Sequence, residues 1–177
     1  MTTAEYLQTP EMVTPQELIY GRLRVADAPS VPHQRLVGWL FKALDGHVRE
    51  HRLGEVLLAP VDVILDASRA LIVQPDLLFV STARADIVRD RVWGAPDLAV
   101  EVLSPRPRIG DVGERLAWFA EHGVAECWLV HQRDQRVEVL ALDDGRVTAR
   151  TVFSRHVPIV SRVLPSFGRT LASIGDY

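Results

Sequence analysis

Two stretches of this chain, Leu71-Ile72-Val73-Gln74-Pro75-Asp76-Leu77-Leu78-Phe79-Val80 and Asp97-Leu98-Ala99-Val100-Glu101-Val102-Leu103, are apolar at nearly every position rather than at every second one. Strands of that kind are covered on both faces, which puts them inside a sheet rather than at its wet surface. Each is nevertheless interrupted by an acid, Asp76 and Glu101. An unpaired buried carboxylate costs several kcal/mol or is forced to take up a proton. Whatever the chain folds into must therefore bring positive charge to both.

The rest of the pattern supplies elements to cover such strands. Residues 1–16 are polar, carry Pro10 and Pro15, and read as a loosely attached lead-in. Leu18 to Val25 reads as a first strand closed by Asp27-Ala28-Pro29-Ser30. From about Pro32 to Arg52, Leu36, Leu40 and Leu44 recur beside Val37, Phe41 and Val48, one apolar stripe at helical period, with Gly54 as the stop. Residues 55–65 are rich in β-formers, with Pro60 marking a bend or an edge. Residues 81–95 are polar and predict a loop with a short helix. Asp111-Val112-Gly113-Glu114 has the spacing of a capped helix start and Gly123 the stop, giving a helix over 112–122. Three strands follow, around 126–130, 136–140 and 147–152, with Asp143-Asp144-Gly145 as a hairpin turn. The order predicts an α/β (α+β) domain built on a mixed sheet, spanning 17–177.

At 177 residues, 47% hydrophobic and 24% charged, the chain can bury one sizeable core and is neither disordered nor fibrous. A net charge of −3 excludes a wholly basic surface but not a local basic groove. One cysteine, Cys127, permits no internal disulfide and no zinc-ribbon or redox pair, which fits a reducing cytoplasm. The opening MTTAEYLQTP has no basic and apolar leader, and no stretch reaches the length of a membrane span. Lys42 is the only lysine among the 20 basic side chains, so cationic roles fall almost entirely to arginine.

If neighbouring strands bring Asp76 and Glu101 about 4 Å apart, their repulsion is roughly 4 kcal/mol at an effective dielectric near 20. A divalent cation with a taste for hard oxygen ligands, Mg²⁺ or Mn²⁺, offsets it. On the helix at 112–122, Val112, Leu116, Phe119 and Ala120 form the inner stripe and Arg115 borders it. One acid on each of two strands and a cation on the next helix is what metal-dependent phosphodiester hydrolysis requires. The plainer reading pairs each acid with an arginine.

Glu17-Leu18-Ile19-Tyr20-Gly21, His33, Val73-Gln74-Pro75-Asp76, the run from Ala95-Pro96-Asp97 through Glu101-Val102-Leu103-Ser104-Pro105, and Gly123-Val124-Ala125-Glu126-Cys127-Trp128-Leu129-Val130 together resemble the Uma-two family of restriction endonucleases in the PD-(D/E)XK nuclease superfamily. The resemblance covers nearly the whole chain. It implies a restriction-endonuclease-like fold, a mixed sheet flanked by helices, and Mg²⁺-dependent cleavage of DNA. Residue by residue it makes Asp76 and Glu101 the metal-binding acids and adds the carbonyl of Val102 as a ligand. The motif lysine belongs two positions after Glu101, where Leu103 stands; in this family it has moved to the following helix, which makes Arg115 its counterpart. Arginine keeps the charge and can hold phosphate, but cannot accept a proton from water. Tyr20 and His131 also replace residues usually acidic in the family.

Other residues admit further roles. His33 can reach phosphate, and Asp97, about 13 Å along the strand from Glu101, can support the site or simply start the strand. His47-Val48-Arg49-Glu50-His51 matches an H-x-x-E-H zinc pattern, against which stands the reading of a solvated helix end. Cys127 reads as a core residue, and Ser104 lacks the flanking glycines of a hydrolase elbow. The expectation is a cytoplasmic metal-dependent DNA endonuclease, homodimeric so that two sites serve two strands, with a degenerate DNA-binding or protein-interaction module as the alternative.

Overall fold

The structure, a computed structural model, describes residues 1–10, 14–103 and 111–175. Residues 11–13 of the lead-in, and Ser104 and Pro105 at the end of the central motif, lie outside the described residues.

Among the described residues eleven strands form two mixed sheets. The larger contains β3 (Gly54–Leu58), β6 (Leu77–Ser81), β8 (Leu98–Leu103), β9 (Glu126–His131), β10 (Arg136–Asp143) and β11 (Arg146–Ser154), in the order β11-β10-β9-β8-β6-β3, with only β8 and β9 parallel. The smaller contains β1 (Gln16–Ile19), β2 (Arg22–Val25), β4 (Val63–Asp66), β5 (Leu71–Val73) and β7 (Val92–Trp93), in the order β2-β1-β5-β4-β7. The expected α+β character and helix-flanked mixed sheet are present, but the strands divide between two sheets.

Alternation along β6, β8 and β9 decides which layer each residue meets. Leu77, Phe79, Leu98, Val100, Val102, Trp128 and Val130 face helix α2 (Val31–His51) and the C-terminal segment. Leu78, Val80, Ala99, Cys127 and Leu129 face helix α3 (Val112–His122) and the smaller sheet. Both faces are covered, as the continuous apolar runs require. Phe119 and Trp128 are fully buried, each contributing roughly 1.5–3 kcal/mol by removal from water.

Several expectations are corrected. Leu18 to Val25 is a hairpin, because Tyr20 and Gly21 both have positive φ and turn the chain in two residues. The run 71–80 is split between sheets at Gln74-Pro75-Asp76, since Pro75 has no N–H for a ladder. Helix α2 ends at Arg52 in the left-handed region. Gly54 instead opens β3, where an added Cβ would lie 2.0 Å from the Val80 carbonyl oxygen. The first part of the lead-in, residues 1–10, is docked: helix α1 (Thr3–Leu7) has a capping box between Thr2 and Glu5, and Tyr6 is buried with its hydroxyl on Asp62 at 3.1 Å. Helix α3 is as read, with Asp111 accepting from Gly113 N–H and Gly123 closing the end. Asp144 and Gly145 turn the β10–β11 hairpin. Among the described residues no helix is long and apolar enough to cross a membrane.

Candidate active site

β6 and β8 run antiparallel with Leu77 opposite Val100, so one further step in register sets Asp76 opposite Glu101, where facing Cα atoms are about 5 Å apart. Asp76 precedes its strand and uses its side chain as the missing ladder partner: Val102 N–H donates to Oδ2 at 2.7 Å. A strand residue directs its N–H and C=O to the same edge, so the Val102 carbonyl points to the Asp76 side as well. His33, in the first turn of α2, lies with Nε2 3.1 Å from Asp76 Oδ1.

Glu101 alternates to the α3 face, where Arg115 Nε donates to its Oε1. Arg115 also donates through Nη1 to Glu17 Oε1 and Oε2 at 2.8 and 3.0 Å. All three side chains are buried. Glu17 in turn accepts the backbone N–H of Gln74 at 2.7 Å, tying β1 to the Gln74-Pro75-Asp76 corner. The site therefore gathers three carboxylates, from β1, the start of β6 and β8, around one guanidinium and one imidazole. Its charge remains tilted towards negative. Burial above all, then the nearness of Asp76, pushes the Glu101 carboxyl up to about 8 in spite of Arg115. Burial works against the Arg115 charge, but Glu101 and Glu17 outweigh it and hold the proton more firmly than usual.

Asp76, Glu101, Val102, Arg115 and His33 are thus brought together. Asp97 is not: it sits before the other end of β8, accepts Ser81 N–H at 2.7 Å and lies 3.5 Å from Arg84. His47 and His51 lie with ring centroids 4.3 Å apart, and among the described residues no third His, Cys, Asp or Glu joins them. His47 is buried rather than solvated, its Nε2 on the Pro165 carbonyl at 3.0 Å, while His51 Nδ1 bonds the His47 carbonyl at 3.0 Å. Cys127 is fully buried, and burial pushes its thiol far above the reactive range. Sequence reasoning missed Glu17 as a member of the site. Its signal was present, since Glu17 shares the inward parity of Ile19 in a strand.

Among the described residues no three His, Cys, Asp or Glu side chains converge as a cage for a metal ion. What Asp76, Glu101 and the Val102 carbonyl offer is a partial set of hard oxygen donors at one strand end.

A family model described as "Uma2: Putative restriction endonuclease" matches residues 3–172. None of the curated proteins matches the chain. Among solved structures, the crystal structure of a "putative nuclease belonging to DUF820" from Anabaena variabilis superposes with a TM-score of 0.80 at 19% identity, over 98% of this chain and 97% of that one. At that identity the likeness is one of fold.

Proposed function

We propose, from the premise that this chain belongs to the Uma2 family of restriction endonucleases, that it is a divalent-metal-dependent endonuclease cleaving DNA with water as nucleophile. The observation that carries the reading is that the register sets Asp76, just before β6, opposite Glu101 within β8, with Arg115 behind Glu101. Two opposed carboxylates, one with its pKa raised towards 8, are costly to fold around unless a cation uses them.

Asp76, Glu101 and the Val102 carbonyl would hold Mg²⁺ or Mn²⁺, with waters filling the remaining positions. The ion, when bound, polarises the phosphate and lowers the pKa of water. The chain's own residues do the rest. His33 and the Val102 N–H orient Asp76 from two directions. Arg115, permanently protonated, stabilises negative charge but cannot act as the base. Glu17 positions Arg115, and Gln74 N–H positions Glu17. A homodimer with twofold symmetry would present two such sites to the two strands of a duplex.

A second reading, a nuclease fold kept as a DNA-binding or protein-interaction module, is favoured by one observation: Arg115 already spends Nε and Nη1 on Glu101 and Glu17. Supercoiled plasmid incubated with Mg²⁺ or Mn²⁺ separates the two. Nicking by the natural chain that is lost in Asp76→Asn, in Glu101→Gln and on chelation supports the nuclease; no nicking by the natural chain, with metal-independent DNA binding, supports the module. Nicking that survives both substitutions sinks the assignment of this site.

A further inference from the structure

The face of the larger sheet that carries Glu101 holds a second charged constellation that the catalytic reading leaves unused. Across the strands, Glu101 stands opposite Leu129 and Leu129 opposite Glu138, while one alternation further on Leu103, His131 and Arg136 form the next row of the same face. Strands lie about 4.8 Å apart, so Glu138 is roughly 10 Å from Glu101. Glu138 is buried and accepts a hydrogen bond from Arg150 Nη1 at 2.7 Å, with His131 Nε2 2.8 Å and Arg136 Nη2 3.1 Å from its carboxyl oxygens. Asp134 lies 3.7 Å from Arg136 Nε, and Arg155 Nη1 donates to Gln135 at 2.9 Å in the same corner. Arg133 is exposed on the adjoining β9–β10 turn, in a chain whose net charge is −3.

Arg136 and Arg150 are held at Glu138 without being enclosed. The Arg136 and Arg150 side chains are 37% and 52% exposed, against 7% for Glu138. A buried acid that fixes two half-open guanidiniums is an organiser, since each fork keeps donors free for an oxyanion. We propose that Arg136 and Arg150, held by Glu138, bind a backbone phosphate of the nucleic-acid strand that crosses the catalytic acids. The proposal rests on the nuclease reading for the position of the scissile phosphate. The contacted phosphate therefore lies within about one or two nucleotides of the scissile one. It would contribute affinity and register without reading sequence.

The test is fluorescence-anisotropy titration of a short labelled duplex, and of single-stranded DNA and RNA of the same length, in chelator across a salt series. Binding without metal is measured apart from cleavage. The natural chain is compared with Arg136→Gln, Arg150→Gln, the double variant, and Arg146→Gln, an exposed arginine at the far end of β11. Each of the first two should weaken binding about tenfold and lower the slope of log affinity against log salt by about one, with Arg146→Gln unchanged. Arg136→Lys with Arg150→Lys should restore most of the slope, which separates charge from folding.

Slopes and affinities unchanged in the double variant overturn the proposal and leave the cluster as a structural or protein-facing surface. So does failure of the natural chain to bind any of the three probes. Plasmid nicking reports independently: a chain that never nicks but shows the slope loss refutes the nuclease reading alone, whereas a nicking chain indifferent to these arginines refutes this proposal alone.

Discussion

Arg115→Met removes the guanidinium hydrogen-bonded to both Glu17 and Glu101 while keeping a long apolar side chain on α3. Removing one partner of a buried ion pair costs about 3–5 kcal/mol, because a carboxylate, at neutral pH that of Glu17, stays behind. A domain of ordinary stability has about 5–15 kcal/mol in all, so the variant should fold only marginally at neutral pH. The pH dependence identifies the cause. Free glutamate titrates near 4.5, and Glu101 sits at about 8 with Arg115 present. A carboxyl with a folded pKa above its unfolded value stabilises fully below the unfolded value and loses that contribution as pH rises through the folded one. Removing Arg115 raises the folded value further, so between pH 4.5 and 8 natural and variant chains lose stability in parallel as far as Glu101 is concerned. Above pH 8 the variant still holds its proton, and the difference should widen by up to about 1.4 kcal/mol per pH unit. Urea unfolding at pH 6, 7, 8 and 9, with the slope on denaturant held constant, measures this. Glu101→Gln combined with Arg115→Met should recover part of the loss, since neutral replacement of both partners is often tolerated. A cost for Arg115→Met below about 1 kcal/mol, or no widening above pH 8, would refute the reasoning.

Three further outcomes follow from the same geometry. Mg²⁺ or Mn²⁺ at about a hundredfold its dissociation constant should stabilise the natural chain by about 2.7 kcal/mol, seen as a rise in Tm absent from Asp76→Asn and Glu101→Gln. Because Glu101 must shed its proton to bind a cation, metal affinity by calorimetry should strengthen by up to tenfold per unit as pH climbs towards 8 and level off beyond it; a flat profile would remove Glu101 from the donor set. Gly54→Ala should cost more than about 3 kcal/mol by thermal unfolding, since its φ of +154° and the 2.0 Å approach of Val80 O leave no room for a methyl group; a near-neutral result would mean that β3 does not lie against β6 as described.

Much of the site was legible because burying charge is costly enough to leave a mark in sequence. Asp76 and Glu101 stood out as acids inside apolar strands, and Arg115 as a cation bordering an apolar helix stripe. Helices α2 and α3 could be read from their apolar periods, and α3 also from Asp111 and Gly123 at its ends. Local turn chemistry was under-read: Tyr20-Gly21 turns a hairpin, and Gln74-Pro75-Asp76 divides one apolar run between two sheets. The Thr2-x-x-Glu5 capping box at the start of the chain was visible too, although so short a helix gains its stability from Tyr6 docking, which no local pattern reports.

Alternation, burial and helix ends by themselves determined that the chain builds a mixed α+β core with two acids inside it, because those properties depend on neighbours a few residues apart. Only the tertiary structure decided the partners. Arg115 meets Glu17 across 98 residues of chain, His33 meets Asp76 across 43, and Glu138 gathers arginines from two strands. Such pairings are set by sheet order and register, which many sequences of the same local pattern could satisfy differently, and the electrostatics of the site follows from them.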